Sequence, residues 1–346
     1  MLKPLTRKLT LYIKQKLGML GKPIVLPYRG YGNRKKVVVR GRVMEDRGLA
    51  QPKTEANVWR NMGAMLRRYI SDNIPAVRVE IKIGEECIEV TTDENGIYNL
   101  EITLRDPIEK KEDQWVKYSV KLLDELIRNQ GEISAQGEIL IPDESAEYGI
   151  ISDVDDTFMV SYSAKLRKKM RLMLTKNAHT RMPFEGVSEF YHRLHKTGKN
   201  PIFFVSSSEW NLYDLLVDFC QFHNIPKGPF LLKPLKSSLI KLVKSGGGQH
   251  DHKLEKIRHI LETYPEMKFV LIGDSGQHDP ELYSQIAKEF PSRILSIYIR
   301  DVSKDKRDRE VRKIAEDLDH PTTEMLLVKH SENAMEHAIK NGLITP

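Results

Sequence analysis

Ile150-Ile151-Ser152-Asp153-Val154-Asp155-Asp156-Thr157 is a short apolar run that breaks into acids and a hydroxyl. Side chains two apart on an extended chain share a face, so Asp153 and Asp155 point the same way at the end of a buried strand. A carboxylate there can attack phosphorus to give an aspartyl-phosphate, and a second one two residues on is close enough to move a proton. Paired carboxylates of this kind suit metal-assisted phosphoryl transfer. Taken alone the pattern also fits capping, because Asp and Thr are common at strand-to-helix turns.

Working outward, the spacing of later segments favours chemistry. Pro201 to Val205 form a second apolar run, ending at Ser206-Ser207-Ser208, and Phe269 to Ile272 a third, ending in Gly273-Asp274-Ser275-Gly276-Gln277-His278-Asp279. Between them lies Asp251-His252-Lys253, followed by a helical stripe of Leu254, Ile257, Ile260 and Leu261. Acids, a hydroxyl and a lysine thus follow predicted strands or open predicted helices. In an open α/β sheet the carboxyl ends of the strands are where ligands bind. Alternation continues through Tyr148 to Ser152, Gly186 to Lys196, Ile202 to Val205, Trp210 to Phe222, Leu254 to Tyr264, Phe269 to Ile272, Pro280 to Phe290 and Ile294 to Ile299. It predicts a parallel sheet with helices on both faces.

These segments resemble the four motifs of the haloacid-dehalogenase-like (HAD-like, Rossmannoid) phosphatase superfamily, and more closely the catalytic domain of the actin-patch type of phosphatidate phosphatases. The narrower likeness rests on Ile151 to Thr157, on Val205 to Ser208 with Trp210 to Leu216, on His252-Lys253, on Gly273 to Gln277 with Asp279-Pro280-Glu281, and on Arg181 to Val187. It covers roughly residues 140 to 300, and Ser207 and Glu209 stand where the family has an Asn and a Pro. The resemblance implies Asp153 as nucleophile, Asp155 as general acid and then base, Ser206 as a donor to a phosphoryl oxygen and Lys253 as a neutralising cation. It also implies Mg²⁺ held by Asp153, by the Asp155 carbonyl and by Asp274, with Asp279 supporting the metal site. Thr157, Ser207 and Arg181 are expected to meet substrate, which the resemblance gives as a phospholipid, phosphatidate.

Each of these residues has a plainer reading. Asp156 fits a cap, Asp279-Pro280-Glu281 is a good helix start, and Ser207 and Ser208 serve equally as loop hydroxyls. His252 and His278 flank motifs, but lone histidines near helix starts are usually satisfied by solvent or backbone. Ser245-Gly246-Gly247-Gly248 lacks the Gly-Lys-Ser ending of a phosphate-binding loop and reads as a linker. Cys87 and Cys220 show no metal or redox spacing and are read as reduced, packing thiols.

Length and charge bound the rest. At 346 residues and 40% apolar content the chain suits two cores, and its net charge of +7 is unevenly placed. Residues 1 to 44 contain no acid and twelve bases, and Leu2, Leu5, Leu9, Ile13, Leu17 and Leu20 recur at spacings of three and four. Residues 1–23 therefore read as a basic amphipathic helix, able to lie on an anionic membrane or to dock on its own core. No apolar run is long enough to span a bilayer and no secretory core is present, so the expected location is cytoplasmic with peripheral membrane contact.

Residues 24–142 read as a mostly-β accessory domain, a small sandwich with a helical insertion at Val58 to Ile70. Its strands are Lys36 to Val43, Val77 to Ile83, Cys87 to Thr91, Tyr98 to Thr103, Trp115 to Leu122 and Glu132 to Ile141, with a hairpin turn at Asp93-Glu94-Asn95-Gly96. Residues 143–346 form the expected catalytic domain. Roughly 30 residues, Phe158 to Glu185, are free for a cap after the first motif, too few for an enclosing lid, so an open site is expected. Within them Lys165, Arg167, Lys168, Lys169 and Arg171 interleave with Met170, Leu172, Met173 and Leu174, a pattern suited to a lipid headgroup or to a solvated helix face. The leading expectation is a Mg²⁺-dependent phosphomonoesterase, with phosphatidate as the substrate that the resemblance implies. The alternatives are a phosphatase for nucleic-acid ends or phosphoproteins, which no aromatic-studded nucleic-acid motif favours, and a non-catalytic anionic-membrane binder.

Overall fold

Strand-forming residues dominate the first 140 positions, and most of them enter one sheet. The structure, a computed structural model, describes residues 11–46, 73–109, 114–154, 186–234, 251–302, 305–318 and 323–346. They fall into two units: one holds the described residues up to Ile141 with Trp210–Leu215 and Pro234, the other the described remainder from Pro142. The predicted helix Val58 to Ile70, the cap segment Phe158 to Glu185 and the glycine loop lie outside the described residues.

In the first unit the strands are β1 (Pro23–Pro27), β2 (Gly30–Gly32), β3 (Lys36–Glu45), β4 (Arg78–Ile83), β5 (Glu86–Thr91), β6 (Ile97–Thr103), β7 (Trp115–Leu122) and β8 (Ser134–Leu140). They run in the order β1-β3-β2-β8-β7-β4-β5, with β6 also paired to β3. Alternate residues of the strands, Val37 and Val39, Val79 and Ile81, Tyr118 and Val120, are buried in one core. The strands expected to form a small sandwich are joined by hydrogen bonds into one eight-stranded sheet. The cause is the ten-residue length of β3, which carries β6 on one edge and β1 and β2 on the other. The expected hairpin is also corrected: β5 pairs with β4 and β6 with β3. The turn itself forms, with Asp93 Oδ1 accepting from the amides of Asn95 and Ile97 and Gly96 at φ 69°. The Gly96 carbonyl is taken by the Val43 amide at 2.8 Å, which draws the chain towards β3.

The second unit is built on six parallel strands in the order β11-β10-β9-β12-β13-β14. These are β9 (Gly149–Asp153), β10 (Ile202–Glu209), β11 (Phe230–Lys233), β12 (Phe269–Asp274), β13 (Ile294–Arg300) and β14 (Glu324–Val328). Among the described residues the helices that follow are α1 (Val187–His195), α2 (Tyr213–Phe222, of which Leu216 onward belongs to this unit), α3 (Asp251–Thr263), α4 (Asp279–Glu289), α5 (Asp305–Glu316) and α6 (Ser331–Lys340). β9 is buried at every position, as expected of a strand covered on both sides. Ser152 bonds Tyr191 of α1 while the next residue, Asp153, meets Lys253 of α3, so helices cover opposite faces. The chain leaves β9 for β10 and β11 on one side and returns to β12, β13 and β14 on the other. The switch point between β9 and β12 is where such sheets bind ligands. Sequence reading missed β11, β14, α5 and α6: β11 is four residues long, and α5 is highly charged, with only Val311, Ile314 and Ala315 to mark its apolar side.

Candidate active site

Parallel pairing sets the height of each functional side chain. Asp153 is level with Val205, one residue before Ser206, and Ser152 is level with Ile272, two before Asp274. The carboxylate oxygens of Asp153, Asp274 and Asp279 come within 4.8 Å of one another, and all three residues are buried. Lys253 of α3 reaches into the same space, 2.9 Å from Asp153 Oδ1, and also bonds Asp279 Oδ1.

The cluster is oriented by backbone as well as by charge. Asp274 Oδ1 accepts from the amides of Gly276 at 2.8 Å and Gln277 at 3.1 Å, a local turn that aims its carboxylate. Asp279 opens α4, yet its carboxylate is committed to Lys253 and to the Asp274 amide at 3.2 Å rather than to its own helix. Burial pushes the Asp279 carboxyl above its ordinary pKa, Lys253 opposes that, and the Asp274 charge adds to it. Gly273 is required beside it, because a Cβ there would sit 2.5 Å from Asp279 Oδ2.

The donor set suits a hard divalent cation. Counted as ionised, three carboxylates and one ammonium leave two negative charges in a buried space, and oxygen is the ligand type that Mg²⁺ accepts. Ser206, inside β10, is buried, and its Oγ accepts from the Ser208 amide at 2.9 Å. Ser207 and Ser208 continue the strand, half-buried, instead of opening the loop expected after Val205. His252 rests 3.5 Å from Glu255 of its own helix, and Cys87 and Cys220 are free thiols. Asp155, Asp156, Thr157 and Arg181 lie outside the described residues.

Three residues that sequence reading passed over also shape the site. Gln277 Nε2 donates to Asp153 Oδ2 at 3.3 Å, and Lys256 Nζ donates to the Ser206 carbonyl at 2.9 Å. Lys256 follows Lys253 by three on a helix, a spacing that signals a shared face. Arg307 of α5 grips Glu281 through two bonds and donates to the carbonyls of Ser275 and Gln277, stapling the Asp274 loop. Its signal was weak, being one base in a highly charged helix. Asp153 and Asp274 also border a cavity of about 70 Å³ with apolar walls from Phe190, Tyr191, Ile225, Val328 and Ala334, joined by Arg300.

Buried acids and a lysine thus meet at the switch point of a parallel sheet, and comparisons with known proteins match the same segment. Residues 148–301 match the family model described as "Phosphatidate phosphatase APP1, catalytic domain". The phosphatidate phosphatase APP1 of Saccharomyces cerevisiae is 34% identical over 161 residues, 46% of this chain and 27% of that protein. An uncharacterized protein of Schizosaccharomyces pombe is 31% identical over 160 residues, 45% of this chain and 25% of its own length. The chain thus aligns with about a quarter of the length of each of these curated relatives. Among solved structures, a carbohydrate acetylesterase from Xanthomonas citri aligns over 86% of this chain and 66% of its own, at 11% identity and a TM-score of 0.29, which carries no argument.

Proposed function

We propose that the second unit is a Mg²⁺-dependent phosphomonoesterase working through an aspartyl-phosphate on Asp153, with phosphatidate as substrate. The observation that carries this reading is the buried cluster of Asp153, Asp274 and Asp279 with Lys253 between two of them. An Asp153 oxygen attacks phosphorus, the bond from phosphorus to the lipid oxygen breaks, and Asp155 gives that oxygen its proton, releasing diacylglycerol. Asp155 then takes a proton from water, whose oxygen attacks the phosphorus and frees phosphate and the Asp153 carboxylate. Lys253 holds Asp153 in place and offsets phosphate charge, and Ser206 donates to a phosphoryl oxygen in this reading. Asp153, Asp274 and the Asp155 carbonyl would hold Mg²⁺, which when bound supplies positive charge to the phosphoryl oxygens. Asp279, bound to Lys253, supports the set from behind. The lipid assignment draws on the APP1 relative and on the apolar cavity walls beside Asp153.

The test is phosphate release from phosphatidate in detergent micelles, beside a phosphopeptide and end-phosphorylated oligonucleotides, each with Mg²⁺ and with chelator. Metal-dependent release confined to phosphatidate supports the reading, and preference for another substrate replaces the lipid while keeping the chemistry. Asp153→Asn is expected to lose more than a thousandfold in turnover with its melting temperature intact. Near wild-type activity in that folded variant removes the aspartyl-phosphate.

A further inference from the structure

Two described members of the apolar stripe near the start of the chain, Ile13 and Leu17, are exposed. Residues 11–16 are helical, and the sequence puts Ile13 and Leu17 on the stripe and Leu11 off it. The structure reverses this: Leu11 packs against the first unit's core, Lys14 pairs with Glu45 at 2.8 Å, and Gln15 donates to the Leu126 carbonyl at 3.3 Å. Leu20, beyond the helix, is buried. The helix is therefore anchored by its mixed side, and its apolar side is left in solvent.

Among the described residues six large apolar side chains are exposed, and four of them fall within residues 12–19. Tyr12 is 56% exposed, Ile13 46%, Leu17 65% and Met19 67%. Single exposed apolar residues are ordinary, but such a concentration marks an interaction site. The segment itself is cationic, and Arg128 and Glu125 line a pocket with Gln15, Gly18 and Leu20 beside it. Lys16 stands 5.7 Å over the Tyr12 ring, Lys22 is exposed, and no acid occurs before Glu45. The acid-free stretch also argues against self-association, since two copies meeting here would bring like charges together.

We propose that Tyr12, Ile13, Leu17 and Met19, flanked by Lys16 and Lys22, dock into the headgroup region of an anionic lipid surface. Helices that present apolar side chains between lysines insert the former and pair the latter with lipid phosphates. Leu11, Lys14 and Gln15 fix this helix to the first unit, so docking recruits the folded protein. The inference is independent of the phosphatase reading.

The experiment is co-sedimentation of the full chain with phosphatidylcholine vesicles, with and without phosphatidylserine. Phosphatidylserine is a phosphodiester, so retention does not report on the phosphomonoester site. Binding is expected with phosphatidylserine and weak without it, to fall tenfold or more in Ile13→Ser/Leu17→Ser, and by about fivefold in Lys16→Gln. These positions are exposed, so circular dichroism melts should match wild type. Undiminished binding of Ile13→Ser/Leu17→Ser overturns the proposal. So does absence of binding by wild type, or a wild-type dimer in ultracentrifugation that the double variant abolishes without any vesicle binding, which would make a second copy the occupant.

Discussion

Lys253 is the residue on which the site's electrostatics turn, because it is the described cation bonded to both Asp153 and Asp279. Removing one partner of a buried charged group leaves the others uncompensated, at about 3–5 kcal/mol. Lys253→Met is expected to lower the melting temperature clearly, and added Mg²⁺ to recover part of the loss, read by thermal melts across a magnesium titration. In the wild type Mg²⁺ is expected to raise the melting temperature through binding to the native state alone, and Asp274→Asn to abolish that rise. Unchanged magnesium stabilisation in Asp274→Asn would remove Asp274 from the ligand set. Such melts report on the metal whatever the substrate.

At the scale of the element, the stretch from β12 to α4 is held from outside. Arg307 of α5 ties the carbonyls of Ser275 and Gln277 to Glu281, and burial of that bridge is only partial, so its contribution to global stability is small. Its effect is on aim. Arg307→Met is expected to reduce turnover or magnesium affinity by ten- to a hundredfold with a melting shift of only a few degrees. Equal loss in Arg307→Lys would point to geometry, since lysine keeps the charge but not the fork. The end of α1 makes a different prediction. His195 is pushed down to about 4, first by burial and then by His192. A histidine whose folded pKa lies below its unfolded value contributes stability that is full above about pH 6.5 and lost as pH falls towards 4. Melts from pH 7.5 to 4.5 should therefore decline, and His195→Gln should decline less steeply. Parallel curves would show that other groups govern acid stability.

At the scale of the molecule, the division into units does not follow the chain. Trp210–Leu215, directly after the Ser206 segment, belongs to the first unit. There Trp210 stacks on Tyr28 with ring centroids 4.8 Å apart, Arg40 lies 4.4 Å over its ring, and the Tyr213 hydroxyl accepts from the Arg29 amide. A fragment of residues 142–346 would leave Trp210 and Tyr213 without these partners. It is expected to melt well below the full chain and to show red-shifted tryptophan emission. A fragment with unchanged melting and emission would show that the packing on Tyr28 contributes nothing.

The sequence by itself determined the parallel sheet and most of the acidic site, because buried strands read as apolar runs and the acids follow them at fixed offsets. Asp153, Asp274 and Asp279, which fold into one cluster, were legible on those terms. What only tertiary structure decided lies where a local signal had two outcomes. The Asp93 to Gly96 turn forms as written, but long-range pairing with β3 chose the partner of β6. The Asp279 carboxylate could have served its own helix, and Lys253 drew it into the site. Gln277, Lys256 and Arg307 could not be told from solvated side chains until folding placed acceptors beside them. The first helix carried an apolar stripe, yet docking through Leu11 and the Lys14 to Glu45 pair left Ile13 and Leu17 of that stripe in solvent. Periodicity states that a face exists, and only the contacts of the folded chain state what it meets.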